Sequence, residues 1–138
     1  MALPSIGGGY QLGDGNLNEP EIVTVPAPAT ATDSATLTSA QLTNGILIGT
    51  PTTTAAYTLP LASDLDAFLN NSKVGSAFDF RVINTTTAGV ITMTTNTGWT
   101  IGSGGSQGLM TIAATAGTVR SFRARKSAEG AWALYAIS

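Results

Sequence analysis

The chain has no cysteine and no histidine, and only 10% of its residues are charged. Without cysteine there is neither a disulfide framework nor a thiolate metal site, so the fold is indifferent to the redox state of its compartment. Without histidine the commonest general base is missing and a Ser-His-Asp triad is excluded. No apolar run approaches the ~18 residues needed to cross a bilayer, and Met1–Gly9 shows neither the basic nor the apolar region of a secretory signal. No membrane association is therefore expected. A soluble domain is usually about 25% charged, and net charge is what keeps proteins apart. A surface this poor in charge is suited to meeting other protein. The net charge of -2 and a pI near 4.7 also argue against nucleic-acid binding, which calls for a basic face.

What replaces the charge is neutral and polar, chiefly threonine, because the hydrophobic fraction of 43% is ordinary for a globular chain. At 138 residues the sequence has the length of one domain with one core. Residues 1–33 read as an extended N-terminal arm and 34–138 as a β-sandwich domain. The runs Gly7-Gly8-Gly9 and Gly13-Asp14-Gly15-Asn16 hold too much glycine for a helix or a long strand. Leu3, Ile6, Tyr10, Leu12 and Leu17 are spaced through them as isolated apolar anchors that order against another surface. Glu21–Val25 is expected to form a short strand. Pro26 and Pro28 end it and make Pro26–Thr30 an extended hinge.

Beyond Thr36 the pattern is one of short β-branched and aromatic runs cut by turns. Strands are expected at Gly45–Gly49, Ala55–Leu59, Phe78–Asn84, Gly89–Thr94, Gly98–Ile101, Leu109–Ala113, Thr118–Lys126 and Ala131–Ile137. In Phe78-Asp79-Phe80-Arg81-Val82 the alternation gives one core face and one wet face. A single helix is expected over Leu61–Asn71, with Leu61, Leu65, Phe68 and Leu69 on its buried stripe, Ser63 placed to cap and Asp66 in the first turn. The class is all-β: a jelly-roll-like antiparallel β-sandwich with one short helix, with a partly open barrel as the competing architecture. No repeat of fixed period is visible.

Constellations that carry chemistry are scarce. Asp64 and Asp66 stand two apart on the helix and do not face each other; a solvated helix start explains them. Asp14-Gly15-Asn16-Leu17-Asn18 matches the opening of a calcium loop, then fails at Glu19 and Val25, where glycine and a bidentate glutamate are needed. Gly102-Ser103-Gly104-Gly105-Ser106 resembles a phosphate loop in composition but lacks the Gly-Lys-Ser/Thr ending. No metal or cofactor is expected, and no enzymatic activity. Four of the six cations fall in one strand, Arg120, Arg123, Arg125 and Lys126, as a docking surface or as edge protection. Alternation puts Arg123 and Arg125 on one face and Arg120 with Phe122 on the other. Trp132 and Tyr135 fall on opposite faces of the last strand, one for the core and one for an interface, where aromatics are enriched. The candidate interface residues are thus Arg120, Arg123, Arg125, Trp132 and Tyr135.

The opening Met1-Ala2-Leu3-Pro4-Ser5-Ile6-Gly7-Gly8-Gly9-Tyr10-Gln11, the run Gly13–Glu19 and the strand-rich remainder resemble small structural proteins of tailed bacteriophages, especially those of cyanobacteria. Phe78–Asn84, Gly98–Ile101, Val119–Arg125 and Ala131–Tyr135 resemble modules of head decoration proteins and fibres. The resemblance implies a cement protein on the outer surface of the phage head, bound to the major capsid protein as a homotrimer, with Leu3, Ile6, Tyr10, Leu12 and Leu17 as capsid contacts. The alternative is a tail-fibre or head-fibre module touching the host surface, with Trp99, Trp132 and Tyr135 stacking on sugars. An enzyme cutting envelope polysaccharide through Asp64, Asp79 or Glu129 would need a carboxylate pair that the spacing does not suggest.

Overall fold

The computed structural model describes residues 22–101 and 109–138. Its elements are β1 (Ala29–Ala31), β2 (Ala35–Thr36), α1 (Ser39–Thr43), β3 (Ile46–Gly49), β4 (Ala55–Thr58), α2 (Ala62–Phe68), β5 (Ala77–Asn84), β6 (Ile91–Thr94), β7 (Trp99–Thr100), β8 (Thr111–Ile112), β9 (Thr118–Ala128) and β10 (Ala131–Ala136). They make a six-stranded sheet in the order β1-β3-β5-β9-β10-β7 and a four-stranded sheet in the order β2-β4-β6-β8. The β-rich class is as expected from sequence, and each of the eight expected strands beyond Thr36 has a counterpart.

The connectivity departs from the expectation. The chain passes from the first sheet to the second, through a helix, and back to the first one strand further on; it does this at β1-β2-α1 and β3-β4-α2, and a third pass, β5-β6, enters the second sheet without a helix before the chain returns as β7 at the far edge of the first. A return through another sheet and a helix brings each strand back pointing the same way, which is what parallel neighbours require and a tight hairpin cannot supply. Five of the eight pairings are parallel accordingly, and the sheets are mixed where a jelly roll is antiparallel. Only β8, β9 and β10 add antiparallel pairs. Stacked positions run Ala29, Leu47, Val82 in one sheet and Ala35, Tyr57, Met93 in the other.

Three further expectations are corrected. Ala29–Ala31, placed with the arm and hinge, pairs with β3, so the folded body begins before residue 34. No strand forms at Ile22–Val25; Glu21 and everything before it lie outside the described residues. Two helices, not one, form among the described residues. The unforeseen α1 has a reciprocal cap, with the Gln41 backbone N–H donating to Thr38 Oγ1 (3.1 Å) and the Thr38 N–H to Gln41 Oε1 (2.9 Å). The foreseen α2 is shorter than Leu61–Asn71 and lacks a side-chain cap; Leu69 turns out of helical geometry and ends it. Its buried residues are Ala62 and Leu65, while Phe68 stays 53% exposed.

Residues of alternating parity from both sheets meet in one core. Phe80 stacks on Phe122 with centroids 5.4 Å apart, and Trp132 packs against Trp99 at 6.2 Å and Phe78 at 5.8 Å. Gly49 lets the sheets approach: a Cβ there would stand 2.5 Å from Ile91 Cδ1 and 3.0 Å from the Tyr57 hydroxyl. That hydroxyl shares its one hydrogen between the carbonyls of Ala31 (3.0 Å) and Thr32 (2.8 Å), tying the first pass to the second. On the outer side of the smaller sheet Thr36, Thr58 and Thr94 stand in register, with Thr58 and Thr94 Oγ1 atoms 2.9 Å apart.

Burial, with the nearby Asp33 carboxylate, pushes the Tyr57 hydroxyl up to about 12 from its ordinary 10.0. A raised acid pKa means stability that is complete below the ordinary value and is lost as pH rises toward the raised one. Tyr57→Phe is expected to cost about 1–2 kcal/mol in urea unfolding, the worth of a buried hydrogen bond, and to lessen the loss of stability between pH 10 and 12. Gly49→Ala, by overpacking, is expected to cost about 1–3 kcal/mol in the same assay.

Candidate functional site

The three strands at the centre of the large sheet decide what that sheet shows to solvent. Alternation turns Phe80 and Val82 of β5, Phe122 and Ala124 of β9, and Trp132 and Leu134 of β10 inward. Asp79 and Arg81 therefore point outward, as do Arg123, Arg125 and Tyr135. Register brings Asp79, Arg123 and Tyr135 into one row and Ala77, Arg125 and Ala133 into the next. Arg81 lies level with Ile46 of β3. Among the described residues no helix or strand lies over this face, since Leu42 of α1 and Ala62 and Leu65 of α2 belong to the core side. Exposed Ile46, Val119 and Ile137 share it.

The face is rich in cations. Arg123 grips Asp79 with two parallel bonds, Nε to Oδ1 at 2.7 Å and Nη2 to Oδ2 at 3.0 Å. The hydrogen bond from Arg123, against a small burial cost and with help from the charge of Arg81, holds the Asp79 carboxyl below the usual carboxylate range; the same bond raises the Arg123 guanidinium. Arg81 and Arg125 have no carboxylate partner among the described residues. Three cations thus stand against one acid on a sheet face that also carries apolar side chains.

The five candidate interface residues separate. Arg123 and Arg125 do share the outward face, and Tyr135 is half-buried beside Arg123. Arg120 is on the inner parity and acts as a clamp: its Nε donates to the Thr111 carbonyl at 2.7 Å and its Nη1 to the Ser138 carbonyl at 3.1 Å. Trp132 is fully buried and its indole N–H donates to Asp66 at 2.7 Å, so it leaves the interface candidates. Trp99 is buried too, donating to the Pro60 carbonyl at 2.7 Å; neither tryptophan is open for stacking on a sugar. The arm candidates Leu3, Ile6, Tyr10, Leu12 and Leu17 lie outside the described residues, as do the calcium-loop and phosphate-loop look-alikes at Asp14–Asn18 and Gly102–Ser106. Sequence reading singled out Arg120–Lys126 and overlooked Arg81 as a member of the same face, because only pairing shows that β5 lies beside β9.

Asp33, Asp66, Asp79 and Glu129 are in structural use. Asp66, expected in the first turn, sits late in α2 and reaches the β9–β10 turn, accepting from the Gly130 N–H at 2.6 Å and from the Trp132 indole, with Lys126 Nζ at 3.2 Å. Desolvation opposes its charge, but the Gly130 N–H, the Trp132 indole and Lys126 together hold its carboxyl below the usual range. Lys126, buried on the inner parity, is likewise penalised by desolvation and held above its usual value by Glu129 and Asp66. Asp33 accepts from both the backbone N–H and the hydroxyl of Thr52, which lower its pKa. No group of three His, Cys, Asp or Glu among the described residues is placed to hold a metal. A cavity of about 490 Å³ beside the end of α2 is lined by Phe68, Phe78, Asn70, Asn71 and Ser72 among others, and no ionisable group lines it. No helix among the described residues is long and apolar enough to cross a membrane. No protein-family model, curated protein or solved structure matches the chain.

A depressed carboxylate pKa stabilises the fold above the ordinary carboxylate range and loses that contribution as pH falls through it. Unfolding followed by tryptophan fluorescence is therefore expected to show stability falling below about pH 4. Asp66→Asn should cost about 2 kcal/mol at neutral pH, since Gly130 and Trp132 donate to different carboxylate oxygens and the amide replaces one of these with a donor, and should flatten that acid limb.

Proposed function

We propose that the chain is a non-enzymatic structural protein of a tailed-phage virion, a cement protein on the outside of the head that reinforces contacts between capsomers. The observation that carries this reading is the large sheet's outward face, left uncovered by the helices and strands of the described residues, where Arg81, Arg123 and Arg125 stand with Ile46, Tyr135 and Ile137. A face that mixes apolar and cationic side chains is suited to a protein partner, in a chain otherwise short of charge. The likeness of the N-terminal run and the strand motifs to phage decoration proteins supplies the destination. In this reading the partner is the major capsid protein, the chain is a homotrimer, and Leu3, Ile6, Tyr10, Leu12 and Leu17 enter the capsid surface. Several weak contacts per trimer then reinforce one another through effective concentration. The reading requires a rigid β body, whatever its strand connectivity.

Of the three aromatics the fibre alternative invokes, Trp99 and Trp132 are buried and Tyr135 is half-buried. Gold labelling separates the two: label over the whole head supports cement, and label confined to the tail rejects it. Deleting residues 1–20 is expected to leave a folded protein by circular dichroism that no longer binds heads in co-sedimentation. Unimpaired head binding by the truncated chain would sink the anchoring role of that segment.

A further inference from the structure

All six cations of the chain follow residue 72, whereas Asp14, Glu19 and Glu21, three of its eight acids, precede residue 22 in a stretch without lysine or arginine. That stretch also carries Leu3, Ile6, Tyr10, Leu12 and Leu17. The outward face of the six-stranded sheet has the complementary make-up, with Arg81, Arg123 and Arg125 against Asp79 alone, flanked by Ile46, Tyr135 and Ile137. Position agrees with charge. Because β1 runs parallel to β3 and β5, with Ala29 level with Leu47 and Val82, the chain ahead of Ala29 leaves toward the end of the sheet where Arg81 lies. On the antiparallel β9 the same end holds Arg123 and Arg125. The Asn44 side chain holds the Ala27 carbonyl at 2.8 Å and fixes that exit.

We infer that the outward face of the six-stranded sheet is the docking surface for this chain's own segment 1–21, its acids over Arg81 and Arg125 and its apolar residues over the isoleucines and Tyr135. Reach is ample: three strand spacings from β1 to β9 span about 14 Å, and twenty-one extended residues span up to roughly 70 Å. A tethered segment also meets its own face at an effective concentration near millimolar, which favours the same chain over a neighbour. The inference does not rest on the capsid reading. If both hold, the segment is stored on the sheet until a head takes it up.

The absence of cysteine gives a direct test in the full chain. Leu12→Cys and Leu17→Cys are each paired with Ala77→Cys, in the Arg125 row of the face, or with Thr111→Cys, exposed on the four-stranded sheet. Mild oxidation and non-reducing electrophoresis read disulfide formation within and between chains, and circular dichroism checks that each variant is folded. At least one Ala77 pair is expected to close within one chain about tenfold faster than its Thr111 counterpart, as a locally raised concentration demands. That advantage is expected to vanish in high salt, where the screening length shrinks to a few Å at about 1 M, and in Arg81→Glu/Arg125→Glu. Equal closure on both sheets would overturn the inference, and so would closure only between chains. Neither outcome depends on whether the chain binds heads, which the truncation test decides separately.

Discussion

One carboxylate holds together parts of the chain that nothing local would join. Asp66 leaves a short helix between the second and third passes and binds the Gly130 N–H, the Trp132 indole and the Lys126 ammonium. Those three groups belong to the β9–β10 hairpin, formed only after the third pass is complete. The helix is thereby fixed against the hairpin, and the largest core side chain has its one polar atom satisfied. Gly130, at φ +69°, is the turn residue that can present its N–H there without strain. The burial of Lys126 at 3% exposure depends on the same carboxylate, helped by Glu129 and by the Ser72 carbonyl and hydroxyl. An unpaired ammonium at that depth would be costly. A chain with few charges places some of them where they join sequence-distant elements.

The passes between two sheets set the remaining constraint. Four of the five parallel pairings join strands separated by a helix and a strand of the other sheet, and the fifth, β7 with β10, joins strands separated by β8 and β9, so the sheets form only after several elements have been laid down. Side-chain bonds reinforce those distant joins: Asp33 to Thr52, Tyr57 to Ala31 and Thr32, and Asn84 to the carbonyls of Gly89 and Ala113. Asn84 is wholly buried and spends both amide hydrogens on carbonyls of the loops that flank β6 and β8. Such satisfied polar groups specify which pass stacks on which, a task that apolar contacts alone perform poorly.

Local pattern was legible in the sequence, and long-range order was not. Phe78-Asp79-Phe80-Arg81-Val82 announced its two faces, and Arg123 with Arg125 announced theirs, because period-two alternation is a local signal. The architecture was misread as antiparallel because no sequence signal states strand direction, and short strands separated by turns fit either sense. The stacking repeat was hidden by unequal intervals between Ala29, Leu47 and Val82 and between Ala35, Tyr57 and Met93. Helix α1 did leave a trace, since Thr38 and Gln41 have the spacing of a capping box. Its brevity and the absence of an apolar stripe concealed it. The place of Asp66 was misjudged at the other end of α2: Ser63 was taken for the cap where Leu61 holds that position, so an acid beyond the first turn with a distant partner was taken for an early, solvated one.

The fate of each cation explains why a scarcity of charge can still mark out a surface. Arg120 clamps Thr111 and Ser138, Lys126 is consumed in the core, and Arg123 is held by Asp79. That leaves Lys73, between α2 and β5, and Arg81 and Arg125, on the outward face, without a carboxylate partner among the described residues. On a highly charged protein two such arginines would be unremarkable, lost among many solvated charges. Here little else competes with them, and they stand over a sheet whose outward rows also carry isoleucine and tyrosine. A partner that brings acids and apolar groups together gains from both, whereas water satisfies only the arginines. The same economy of charge therefore makes this face stand out among the described residues.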